Sequence, residues 1–93
     1  MDIDYFKIVA VLKKRGSSSS LDYSYVPHKW EENGILYWPN NNLTSLRNDA
    51  STKPQIDWKQ YKCKVKKSQI FGLEEAQLWE EEYVASGTDA EGR

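Results

Sequence analysis

Between Tyr5 and Lys13 the chain reads YFKIVAVLK, with apolar residues on both alternation classes. Phe6, Ile8, Ala10 and Leu12 fall on one side, and Tyr5, Val9 and Val11 on the other. A strand apolar on both sides belongs inside a sheet covered on both faces. Gly16 and Ser17–Ser20 then read as a flexible turn. Leu21–Val26 alternates Leu21, Tyr23 and Tyr25 against Asp22, Ser24 and Val26, the pattern of a half-buried strand. The two segments are expected to pair as an antiparallel hairpin around the serine turn, and Pro27, lacking an N–H, ends the second.

His28–Gly34 reads as a connector, and Ile35–Trp38 as a short strand stopped by Pro39. Asn40–Gln55 is polar and predicts a loop of about 15 residues, a length usually kept for a functional reason. Tyr61–Val65 alternates again, with Tyr61, Cys63 and Val65 inward and Lys62, Lys64 and Lys66 toward solvent. Leu73–Ala85 is the one good helix: Leu73, Ala76, Trp79, Tyr83 and Val84 share a stripe. Gly72 caps it, Glu74 and Glu75 sit in the first turn where the helix dipole favours anions, and Gly87 closes it. Residues 88–93 read as a frayed tail or the start of a linker, leaving one domain over residues 1–87. The fold class expected is α+β: a small antiparallel, SH3-like curled sheet or barrel of four to five strands with one C-terminal helix.

Composition sharpens this picture. A chain of 93 residues is one domain that buries only about 60–65% of its unfolded surface. Four tryptophans, six tyrosines and two phenylalanines supply bulk for that core, at about 150–250 Å² each. The single cysteine, Cys63, has no internal partner, so the chain reads as reduced and intracellular. No apolar run reaches the ~20 residues of a membrane span, and no export signal is visible. Charge is segregated: Arg47–Lys67 holds seven basic residues, whereas Glu74–Glu91 holds seven acidic and no basic ones.

Candidate chemistry is sparse. One histidine and one cysteine form no nucleophile–base pair at a usable spacing, and no ligand-spaced cluster or glycine loop suggests a metal or cofactor. His28 in VPHKW reads as a turn residue, and Cys63 as a small core hydrophobe. The expectation is a non-catalytic domain with no cofactor. Two binding readings stay open. Tyr25, Trp30 and Tyr37 either fill the core or line an aromatic cage for methylated histone tails, with Asp22, Glu31 and Glu32 supplying charge. Lys62, Lys64 and Lys66 either form a solvated outer face or contact nucleic-acid phosphates, with Trp58 and Tyr61 available for stacking. Leu78, pointing away from the helix stripe, is a candidate anchor for a protein partner or a second copy.

The order of motifs carries a resemblance. Phe6–Val9, then Val26-Pro27 with Trp30, then Trp38-Pro39, then Trp58 with Tyr61, Cys63 and Val65, then Glu74-Glu75-Ala76 span nearly the whole chain. This order resembles a small N-terminal module of insect and fish multidomain proteins that precedes a C-terminal domain of unknown function. It is more loosely similar to N-terminal segments of BEN-domain proteins. The resemblance implies a nuclear, chromatin- or transcription-associated interaction module within a longer protein; the chain as a whole reads as a module that docks a protein partner or pairs as a homodimer. The resemblance brings no catalytic residues.

Overall fold

A computed structural model describes residues 3–16 and 18–92. Strands β1 (Phe6–Arg15), β2 (Ser18–Pro27), β3 (Glu31–Glu32), β4 (Ile35–Trp38) and β5 (Lys59–Ile70) form one sheet in the order β2-β1-β5-β4-β3. Every pairing is antiparallel. A short helix α1 (Leu43–Arg47) lies within the 39–58 connection, and α2 (Leu73–Gly92) ends the chain. The architecture is the expected α+β one, a curled five-stranded sheet with a C-terminal helix.

The curl comes from β5. Its first part, Lys59–Lys62, pairs with β4, and from Cys63 onward it pairs with β1. Two bulges bend it: β1 advances one residue from Ile8 to Val9 while β5 passes over Lys66, and a further extra residue precedes Ile70. The second bulge places Gln69 at φ 57°, a left-handed conformation. Across the concave side, Lys7 Nζ of β1 meets Glu31 Oε1 of β3 at 2.6 Å and ties the two arms of the curl together. The other Glu31 oxygen accepts the Gly34 N–H at 2.8 Å and so fixes the β3–β4 turn. Asn33 and Gly34 in that turn both have positive φ, as a tight two-residue hairpin requires.

The sheet has a core on each face. On one, Phe6, Ile8, Ala10, Tyr23, Tyr25 and Ile70 pack under Ala76, with Leu73, Trp79 and Tyr83 of α2 around them. On the concave face, Val9, Val26, Trp30, Leu36 and Trp58 form a second cluster, flanked by Leu43 and Leu46 of α1. Trp30 meets Trp38 and Trp58 edge to face at 5.7 and 5.0 Å. Strand β1 is therefore covered on both faces from Phe6 to Ala10, as its two-sided pattern predicts, whereas Leu12, expected on the same apolar side, is 54% exposed because neither core reaches that far along the strand.

Several expectations need correction. The strands of the hairpin continue through Ser18–Ser20, which pair with Arg15, Lys14 and Lys13, so of the expected serine turn three residues are strand and Ser17 lies outside the described residues. Val26, expected on a solvent face, is fully buried against Trp30, because the curl gives the second face of β2 a core of its own. The 39–58 segment is not structureless, since Leu43 and Leu46 hold one helical turn on the concave core. Helix α2 passes the boundary expected at Gly87 and runs to Gly92: one glycine costs about 1 kcal/mol in a helix without obliging it to stop.

Candidate interaction surface

Strand β5 decides what each face offers. Its odd positions Tyr61, Cys63 and Val65 point to the concave side, where Leu36, Val11 and Val9 are their register partners. The alternation predicts burial for all three. The structure instead leaves Tyr61 39% and Val65 41% exposed, with Cys63 and Val11 half-buried between them. The cover runs out here: α1 and Trp58 shield the Trp30 end of the concave face, and nothing among the described residues closes the other end. The result is a contiguous apolar stripe at the mouth of the curl.

Cys63 sits at its centre. Burial is the main reason that its thiol is pushed up to about 11, and the Glu31 carboxylate adds to the shift while Lys7 opposes it. Its backbone N–H donates to the Gly34 carbonyl at 2.9 Å, which anchors this part of β5 to the β3–β4 turn. The thiol is a weakly reactive apolar surface group, with no histidine beside it to raise its nucleophilicity.

The aromatic cage is not assembled. Tyr25 is 3% exposed and lies beneath α2, whereas Trp30 is wholly buried in the concave cluster on the opposite face. Tyr37 is half-buried against that second cluster. A sheet therefore separates two of the three rings, because β2 ends at Pro27 and the single 3-10 turn His28–Trp30 that follows carries Trp30 onto the concave cluster. Tyr25 serves structure: its hydroxyl donates to Asn48 Oδ1 at 2.6 Å and accepts from Gln77 Nε2 at 3.4 Å, and the Arg47 guanidinium stacks 4.2 Å above its ring.

Lys62 and Lys64 are exposed on the convex side of β5, beside Ile35 and Ala10 in register. Lys66 does not continue their row, because the bulge removes it from register; it is half-buried and its carbonyl accepts the Tyr83 hydroxyl at 3.3 Å. Lys67, next along, lies 4.2 Å over the Trp79 ring. On α2, Leu78 is 62% exposed among Glu74, Gln77 and Glu81, with only a shallow depression beside it. His28 is a packing residue: it stacks on Tyr5 at 4.2 Å, and its Nε2 lies 3.0 Å from Asp4 Oδ1. That hydrogen bond is the first cause holding the Asp4 carboxyl below its ordinary value, with Lys29 assisting. No group of three or more metal-ligating side chains occurs among the described residues, and no helix is long and apolar enough to cross a membrane.

No family model, no curated protein and no solved structure matches the chain.

The stripe of Val11, Tyr61, Cys63 and Val65 was hidden in the sequence for a physical reason. Alternation reports which side of a strand is apolar, but whether the chain has enough length to cover that side is a tertiary property.

Proposed function

We propose that this chain is a non-catalytic protein-interaction module that associates with a second copy of itself through the uncovered half of its concave sheet face. One observation carries the reading: the β5 alternation continues as an apolar row past the end of the cover that the chain provides, leaving Tyr61 and Val65 in solvent. Two copies meeting on this face would bury the same row from each side, an isologous contact. The stripe is small, so the association is weak and concentration-dependent rather than obligate. The resemblance in motif order supports a nuclear, chromatin-associated setting for such a module.

Sedimentation velocity under reducing conditions, from about 10 μM to about 1 mM chain, tests the reading by mass action. The weight-average mass of the wild type should rise with concentration, and Val65→Lys should hold it at the monomer value. A wild type that stays monomeric throughout overturns self-association. A dimer that persists unchanged in Val65→Lys and Tyr61→Asp moves the contact to another face.

A further inference from the structure

A second surface lies at the far end of β1. The last pair that β1 makes with β5 is Val11 with Cys63, yet its pairing with β2 continues through Leu12–Leu21, Lys13–Ser20, Lys14–Ser19 and Arg15–Ser18. Past Val11 the hairpin is thus a two-stranded ribbon with no pairing to β5, about 13 Å long at the usual rise per residue. Its composition is specialised. Three consecutive basic residues, Lys13, Lys14 and Arg15, pair in backbone register with three serines, and Gly16 follows with φ 59°. No acidic residue occurs from Phe6 to Leu21.

The topology adds to this. Strand β5 starts at the same end of the sheet, and there Lys62 and Lys64 are exposed on its convex side. Two separated basic segments of the sequence therefore converge on one end of the molecule. A two-stranded ribbon is narrow enough for the roughly 12 Å wide major groove, and strands are an established means of entering it. Lysine and arginine neutralise phosphates, and serine hydroxyls hydrogen-bond to phosphate oxygens, so the residue types along the ribbon are those of backbone contact.

We infer that the β1–β2 ribbon, with Lys62 and Lys64 beside it, is a docking surface for duplex nucleic acid. It is distinct from the apolar stripe on the concave face, so one copy can hold a duplex while the sheet face is occupied. Contact is chiefly to the phosphate backbone, and binding is accordingly steep in salt with little dependence on sequence.

Fluorescence anisotropy of a labelled 20-base-pair duplex, titrated with the full chain at several salt concentrations, tests this. The wild type should bind at low salt, with a log–log salt slope near −0.9 per phosphate contacted. Lys13→Ala/Lys14→Ala/Arg15→Ala should flatten that slope by about 2.7 and weaken low-salt binding by at least about tenfold. Lys62→Ala/Lys64→Ala should produce a smaller loss in the same direction. Near-UV circular dichroism from the Trp30–Trp58 cluster should be unchanged in both, separating lost contact from lost fold. The inference is overturned if the wild type does not bind at low salt, if the triple variant binds like the wild type, or if phosphatidylserine vesicles bind and the duplex does not. Sedimentation of these variants should match the wild type, so failure here and failure of self-association are read separately.

Discussion

At the scale of single residues, the two buried tyrosines of β2 make opposite predictions. Tyr23 lies two residues from Tyr25 on the same face, stacked on Tyr83 at 5.5 Å, but its buried hydroxyl has no hydrogen-bond partner among the described residues. An unsatisfied buried hydroxyl costs about 1–3 kcal/mol, whereas a satisfied one returns about 1 kcal/mol net. Tyr23→Phe should therefore leave stability unchanged or raise it by about 1 kcal/mol, and Tyr25→Phe should lower it by about 1 kcal/mol. Urea unfolding midpoints measure both; equal losses would refute the distinction. The Lys7–Glu31 pair gives a pH-dependent case. Burial raises the Glu31 pKa, but the Lys7 ammonium and the Gly34 N–H outweigh it, so the net shift is downward. A depressed carboxylate contributes stability above its unfolded value and loses it as pH falls through the folded value. Glu31→Gln should cost about 1–3 kcal/mol at neutral pH, and the gap from wild type should close in thermal unfolding series as pH falls below the ordinary glutamate range.

At the scale of elements, β5 shows how a strand is tuned after its type is fixed. The lysine alternation made a strand legible over Tyr61–Val65, and the structure extends it to Lys59–Ile70. The extension was not legible because KKSQI breaks the alternation, which is what two bulges do: each adds a residue and reverses the parity. The first reversal brings Lys67 to the α2 side opposite Ile8, and the second restores the parity of Lys62 and Lys64, so that Ile70 closes the α2-side core at 1% exposed. The second bulge holds Gln69 in the left-handed region although its side chain is exposed. A glycine is at ease there and a β-branched residue is not. Gln69→Gly should be neutral or stabilising by about 0.5 kcal/mol, while Gln69→Val should cost about 1–2 kcal/mol, by denaturant midpoint. Equal effects would mean that the bulge does not constrain this position. Helix α2 and the first hairpin were readable because their apolar patterns are local. Core and cage could not be separated in the sequence because the three aromatic residues are close along the chain but divided between faces, and α1 was not legible because one five-residue turn held by Leu43 and Leu46 depends on the tryptophan cluster beneath it.

At the scale of the whole molecule, three parts distant in sequence meet at one carboxylate. Glu80 of α2 accepts the outward-facing Tyr25 N–H at 3.2 Å, occupying a donor on the edge strand of the sheet. The same carboxylate lies 3.6 Å from Arg47 Nη1, and Arg47 donates to Ser24 Oγ at 3.0 Å while covering the Tyr25 ring. Helix α2, edge strand β2 and the end of α1 are therefore locked by one junction. Glu80→Ala removes the shared acceptor and leaves Arg47 without its carboxylate, so the expected loss is about 1–2 kcal/mol. Its distribution is more telling than its size. Hydrogen exchange should accelerate at the Tyr25 amide and also at Leu46 and Asn48, whose N–H groups close α1 on Asn42 and Thr44. The Cys63 amide, bonded to Gly34 at the mouth of the curl, should keep its protection relative to global unfolding. Exchange that quickens at Tyr25 alone would make Glu80 a local edge cap. Quickening at Tyr25 and α1 together would establish the junction as the fastener that seats the 39–58 segment on the sheet, and with it the boundary at which the apolar stripe begins.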